Sequence, residues 1–408
     1  MEKISANIQH AIQHIRYLSQ TIGGRGSCTP QERQAAEYVA AEMRSLGLQG
    51  VQLETYSGAP STYRPYVLAF GMAVLGTLIV WLFPSRLTYA LAALLEFLAA
   101  WGMLTETDFS DNWMRLLLPS APSQNAVGFI PASAEAQKQV ILCAHLDTHR
   151  TPIFYSSKKW HALFGALVGV AFISMLICGV AYSLGFLFTW SWLRYVGLIL
   201  AAIQVFALGL CIHADFTPFS PGANDNASGV AVILALAEHL VKEPLMYTQV
   251  WLAFTGCEEA AAYGMIAFLD THADELGEQA VYVILDQVGS GHLEYLTKDG
   301  LIIKRATHPQ ALAIAERAKA ACEDIYIKKQ VGIAYTDAAV ATKRGLMALT
   351  LVSVPAWDTD QSTHWHQMDD TLEYIDSQTL KDAYDFTWQI LQEVDKDPQG
   401  GRDIQIEV

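Results

Sequence analysis

Four long stretches of this sequence are almost free of charge, and they limit its fold more than any other feature. Tyr66 to Phe83 runs for eighteen residues without a charge, and Leu87 to Leu104 runs for another eighteen interrupted only by Glu96, with Pro84-Ser85-Arg86 between them. Ala162 to Leu193 is charge-free, and so is Tyr195 to Ile212 after Arg194. At about 1.5 Å per residue, eighteen helical residues reach about 27 Å, close to the ~30 Å hydrocarbon core of a bilayer. The pattern predicts four transmembrane helices in two hairpins. Trp81, Trp101, Trp160, Trp190 and Trp192 stand near the run ends, where indoles favour headgroup depth. Buried core helices would be the alternative, but they seldom reach this length without a polar face.

Composition agrees. Of the 408 residues, 52% are apolar and 16% charged, against about 25% charged in an average soluble protein. The formal charge of −15 excludes a protein that coats nucleic-acid phosphates. Six cysteines form no CxxC pair, which points to a reduced compartment, and oligomeric state is not encoded in any readable pattern. The first twenty residues, MEKISANIQHAIQHIRYLSQ, read as a polar amphipathic helix rather than a cleaved leader. Arg64, Arg115, Arg150, Lys158 and Lys159 flank the spans on the side of the polar domain, against Arg86 and Arg194 at the hairpin tips. That bias predicts a multi-pass membrane protein, expected in the cell membrane with its polar domain cytoplasmic. Gly165-x-x-x-Gly169 is a candidate for close helix approach. Glu96, in mid-span, needs a protein or water partner, and Gln204 in the fourth span is a candidate.

The polar remainder alternates strands and helices. Thr29-Pro30-Gln31-Glu32 has the form of a capping box opening a helix that runs to about Ser45 and is closed by Gly47. Strands are expected over Val51 to Tyr56, Asn125 to Ile130, Gln139 to His145, Thr248 to Thr255, Ala280 to Leu285 and Leu346 to Val352. Helices are expected over Asn226 to Leu240, Ala311 to Ala321, Asp337 to Lys343 and Ser377 to Val394, with the last dozen residues as a tail. The fold class predicted is α/β, a mixed-sheet αβα sandwich with two inserted transmembrane hairpins. The hairpins at 61–107 and 161–213 divide the polar domain into 1–60, 108–160 and 214–408.

Five segments gather acidic and imidazole groups at strand exits or helix starts: His145-Leu146-Asp147, Asn224-Asp225-Asn226, Glu258-Glu259, Asp286-Gln287 and His366 to Thr371. In an α/β sheet such residues converge beyond the carboxyl ends of the strands. Two histidines with three carboxylates suit zinc.

Together these segments resemble the dizinc aminopeptidase and glutamate carboxypeptidase family, family twenty-eight of the metallopeptidases, which also contains glutaminyl cyclases. The resemblance spans the whole polar part. It implies two Zn2+ ions per chain, with His145 and Asp286 completing one site, Glu259 and His366 the other, and Asp225 bridging both. It also implies Glu258 as general base and Asp147 as the residue that orients the His145 imidazole. His366 stands four residues before Asp370-Thr371, which matches the family spacing and sets aside His364 and His149. Glutaminyl cyclases keep one zinc and lack the H-x-D ligand, so His145 and Asp147 favour two metals and hydrolysis. Thr336-Asp337-Ala338 resembles a substrate-side segment of related peptidases, although a helix N-cap is the simpler reading of Asp337.

The insertions depart from the family pattern, since 78 positions separate Asp147 from Asp225. If the strands flanking the first hairpin and the strand ending at His145 form an antiparallel meander, both hairpins leave the sheet at the end that carries the metals. The bilayer would then lie against the catalytic mouth, with the substrate a peptide or an amphipathic small molecule. The function expected is a membrane-bound zinc aminopeptidase. Carboxypeptidase or amidase action on lipidated or N-acylated substrates stays open, as does a non-catalytic receptor or scaffold on a peptidase fold.

Overall fold

The computed structural model describes residues 6–354 and 364–396, so the start of the predicted N-terminal helix and the predicted tail lie outside the described residues. Continuous apolar runs become the centre of a mixed sheet. Its strands are β1 (Gln49–Gly58), β2 (Ala121–Ile130), β3 (Lys138–His145), β4 (Thr248–Thr255), β5 (Val281–Asp286), β6 (His292–Asp299), β7 (Arg305–Ala306), β8 (Ile327–Val331) and β9 (Met347–Val354). The spatial order is β1-β2-β4-β3-β5-β9-β6-β7, with β8 also pairing β6. Four strands, β4, β3, β5 and β9, are parallel neighbours. They are buried on both faces, as such strands must be when helices cover both sides.

The helices are α1 (Ala6–Arg16), α2 (Pro30–Leu46), α3 (Arg64–Leu82), α4 (Arg86–Thr107), α5 (Lys158–Phe188), α6 (Leu193–Asp215), α7 (Gly229–Leu240), α8 (Tyr263–Leu276), α9 (Pro309–Ala321), α10 (Asp337–Lys343) and α11 (Ser377–Asp395). Alternation along the strands divides the core. Val140, Leu142 and Ala144 of β3 face α1, α2, α7, α9 and α11, while Ile141 and Cys143 face α8 and α10. Thr29 caps α2 by accepting the Glu32 N–H, but the capping box is not reciprocal. Glu32 instead accepts the N–H groups of Cys28 and Cys257, at 3.0 and 2.8 Å. The helix expected from Asn226 begins at Gly229. Asp225 and Asn226 sit in a non-helical turn whose joining peptide is cis.

The expected meander is not formed. β2 pairs antiparallel with both β1 and β4, and β3 lies beyond β4, between it and β5. β1 is nevertheless parallel to β3 and β4, so its carboxyl end at Gly58, the start of β2 at Ala121 and the end of β3 at His145 share one rim. Both hairpins leave the sheet there, by a different strand order from the one expected.

Among the described residues, α3, α4, α5 and α6 are long and apolar enough to cross a membrane. α5, with 31 residues, extends about 46 Å. The four form a ring in which α3 packs on α4 and α6, and α5 packs on the same two. Close approach occurs at Gly76, where an added Cβ would lie 3.2 Å from the Ala92 backbone, and at Gly197 against Tyr182. It does not occur at Gly165 or Gly169, where nothing lies within 4 Å of an added Cβ, so the predicted helix contact is absent there. Glu96 accepts from Gln204 at 3.2 Å and from Thr77 at 3.4 Å, the partnership its position required.

Candidate metal centre

The parallel strands aim their last residues at one place. His145 ends β3, Asp286 ends β5, and Glu258 and Glu259 follow β4 after Cys257 turns the chain with a φ of 49°. Asp225 comes from the turn before α7 and His366 from the loop before α11, also with positive φ. Left-handed backbone at non-glycine residues is held only where surrounding bonds impose it. Glu32 supplies that restraint at Cys257.

Asp225 stands between the two imidazoles. Its Oδ1 is 3.2 Å from His145 Nε2, and its Oδ2 is 3.0 Å from His366 Nε2. Asp286 lies 3.5 Å from His145, and Glu259 lies 3.4 Å from His366. All six side chains, Glu258 included, are buried. The donor atoms of His145, Asp225 and Asp286 lie within 4.8 Å of one another, as do those of His145, Glu258 and Glu259.

The cluster carries unsatisfied acceptors. Glu258 Oε1, Glu259 Oε1 and Asp286 Oδ1 are buried without a hydrogen bond, as is His366 Nδ1. Burial pushes the Glu258 carboxyl well above its usual range and that of Glu259 up to about 7. Burial opposes charge on His366, but Glu259 and Asp225 outweigh it and push the imidazole up to about 9. Buried carboxylates without donors are costly unless paired or bound to a metal. The imidazole and carboxylate donors, with Asp225 within 3.2 Å of both imidazoles, suit divalent cations.

Several expectations need correction. Asp147 meets His145 by two groups: His145 Nδ1 is 3.1 Å from the Asp147 backbone oxygen and 3.7 Å from its carboxylate Oδ1. The carboxylate also accepts the N–H groups of Glu258 and Glu259 and the Ser27 hydroxyl. His149, set aside on spacing, stacks on His366 at 3.8 Å and shares a 4.8 Å group with Glu259 and His366. Its Nδ1 faces the Arg150 carbonyl at 2.7 Å, which assigns the proton to that nitrogen and directs Nε2 toward Tyr63 Oη at 3.2 Å. His364 pairs with Asp369 and stacks on Tyr374, outside these groups. Thr336, not Asp337, caps α10; Asp337 accepts from Thr255 beneath the sheet, and burial pushes it up to about 6.

Two further groups support the site, and only Asp370 had a sequence signal, through its spacing from His366. Arg25 is fully buried and donates to the carbonyls of Leu18, Gly23, Leu146, Pro221 and Gly222, joining the His145 loop to the Asp225 loop. Burial lowers its pKa only to about 10, so the guanidinium stays charged. Asp370 accepts the N–H groups of Asn224 and Asp225 at 2.8 and 3.0 Å. That locks the His366 loop to the bridging carboxylate.

Residues 206–391 match the sequence model of peptidase family M28, a span that holds Asp225, Glu258, Glu259, Asp286 and His366. Over that span the chain is similar to peptidase family M28. A stretch of 196 residues is 27% identical to the Mycobacterium tuberculosis protein named "probable lipoprotein aminopeptidase LpqL", covering 41% of this chain and 38% of that one. A shorter segment of 79 residues is 40% identical to aminopeptidase YwaD of Bacillus subtilis, covering 19% of this chain and 17% of YwaD. The chain thus spans less than half the length of these curated relatives. Likeness of fold extends further. A zinc aminopeptidase of Bacillus subtilis superposes with a TM-score of 0.58 at 15% identity, over 96% of both chains.

Proposed function

We propose that this protein is a membrane-bound zinc aminopeptidase with two metals per M28 domain. The observation that carries the reading is Asp225, which offers one oxygen toward His145 and the other toward His366, with Asp286 and Glu259 beside the respective imidazoles. His145, Asp225 and Asp286 would hold one zinc, and His366, Asp225 and Glu259 the other. Zinc ions bound there would acidify a water and polarise a substrate carbonyl. Aminopeptidase action, rather than another amide hydrolysis, is supported by the names of LpqL and YwaD.

Glu258 is the general base in this reading. Its Oε1 has no hydrogen-bond partner, and it shares a donor group with His145 and Glu259. It takes the proton of the attacking water and hands it to the departing amine, while Asp147 holds its backbone. The four apolar helices anchor the domain in a bilayer. Arg64, Arg115, Arg150, Lys158 and Lys159 favour a cytoplasmic M28 domain.

The test is zinc stoichiometry together with hydrolysis of amino-acid anilides and short peptides by the full chain. Two zincs per chain and release of N-terminal residues are expected. A chain that binds no metal and cleaves nothing would instead be a scaffold on a peptidase fold.

A further inference from the structure

The metal centre opens into a cavity of about 650 Å3, and most of that cavity is not made by the M28 sheet. One end holds His145, Asp225, Glu258, Glu259, Asp286 and His366. Its walls come from the membrane hairpins: Tyr66 and Phe70 of α3, Met103 of α4, and Phe164, Val168 and Phe172 of α5. Gly165 and Gly169 line it as well, one helical turn apart, with open space where side chains would stand. Leu301 and Ile302 after β6, Val331 at the end of β8 and Ile333 just beyond it form an apolar lip and are all more than a third exposed.

These walls suit one kind of occupant. The backbone groups of α5 are bonded within the helix and have nothing to offer a ligand. A peptide extending along that face would bury amides without partners, which costs free energy, whereas an alkyl chain would gain from leaving water. The cavity is also continuous from the carboxylate cluster to helices that are apolar enough for a bilayer. A chain that starts in lipid can therefore bring its polar end to the metals.

We propose that the amide hydrolysed here is carried on a long alkyl or acyl chain, which lies along the Gly165 and Gly169 face of α5 while the amide lies at the Asp225 and Glu259 cluster. This rests on the hydrolase reading above and names its substrate class. The reaction is ordinary hydrolysis. Water adds across the C–N bond, its oxygen goes to the acyl carbon and a proton to the nitrogen, and a carboxylate and an amine leave.

The experiment uses the full chain, zinc-loaded, in phospholipid nanodiscs, with leucine amides of ethyl-, octyl-, dodecyl- and hexadecylamine. The ratio kcat/KM should rise by up to roughly fourfold per added CH2 and then level off where the cavity is filled. Gly169→Leu, alone or with Gly165→Leu, should lower the ratio of dodecyl to ethyl turnover at least tenfold. Independently, a dodecyl amide with a terminal diazirine should label residues 165–173 or 331–333 of zinc-stripped protein. A flat chain-length profile with active cleavage of the ethyl amide, or labelling confined to the outer faces of α4 and α6, overturns the proposal. Loss of cleavage of every amide by zinc-loaded protein would sink the hydrolase reading instead, and the diazirine label would still report whether the cavity takes the chain.

Discussion

The Asp147 carboxylate accepts the backbone N–H of Glu258 at 3.0 Å, so the turn that presents the proposed base is held by the residue next to the His145 loop. Its other oxygen accepts from Glu259 and from Ser27. Asp147→Asn replaces one acceptor oxygen by a donor that faces an N–H. Hydrolysis should fall by about 10- to 100-fold, with zinc content retained. A variant that lost both zincs would show that Asp147 serves the metals rather than the Glu258 turn.

Glu258→Gln keeps the shape of the side chain and removes its basicity. Turnover should drop about 10²- to 10⁴-fold while bound zinc, measured by atomic emission, stays at the wild-type level. Residual activity near wild type would reject Glu258 as the base.

Removing metal leaves the buried acceptors of Glu258, Glu259 and Asp286 without partners. Chelation should lower the thermal midpoint in detergent, and zinc should restore it in a concentration-dependent way, by about 4 kcal/mol at a thousandfold excess over Kd. His366→Ala should halve the zinc bound per chain. An unchanged melting curve after complete chelation would count against a metal centre here.

Arg25→Met removes a donor to five carbonyls, those of Leu18, Gly23, Leu146, Pro221 and Gly222. Leaving such acceptors buried and unsatisfied should cost on the order of 3 kcal/mol. Urea unfolding of the two proteins side by side reads the difference, and equal midpoints would contradict it.

His14 gives a pH dependence away from the metals. Burial pushes its pKa down to about 4, against an upward pull from Glu238 and a small downward one from His10, and its Nδ1 lies 2.6 Å from Tyr38 Oη. The unfolded chain takes up this proton near 6.5. Below that value the unfolded state binds more protons than the folded one, so stability falls as pH drops from about 6.5 toward 4 and then levels off. The loss is on the order of 3 kcal/mol. His14→Gln should flatten that part of the melting profile, and an identical pH slope in the variant would rule His14 out.

What the sequence discloses follows from locality. β3, β4 and β5 were readable because strands buried on both faces are unbroken apolar runs, and each runs up to a chemical residue. α10 was readable because Gly345 follows its end, although its cap is Thr336 rather than the Asp337 expected. β8 was not: Ile327-Lys328-Lys329-Gln330-Val331 has three polar residues in a row and lies mostly exposed on the sheet edge. β6 and β7 pair beside it and were missed with it. The placement of β4 between β2 and β3 depends on contacts between distant segments, which no local period encodes. Side-chain direction was equally hidden. Spacing alone set His149 aside, and nothing in it showed that the Asp147 carboxylate also accepts two backbone amides. Arg25, alone among Gly23, Gly24 and Gly26, resembles any solvent-facing arginine until the loops at Leu146 and Pro221 close over it.

The shared rim from which both hairpins emerge has a kinetic meaning. Were α3 to α6 to lie in a bilayer as proposed, four chain crossings on one rim would limit how far the sheet could swivel against the membrane plane. Encounters would then become two-dimensional. For any reactant in the same leaflet, velocity would be set by molecules per unit area of membrane, and diluting the bilayer with inert lipid would slow turnover even at unchanged bulk concentration.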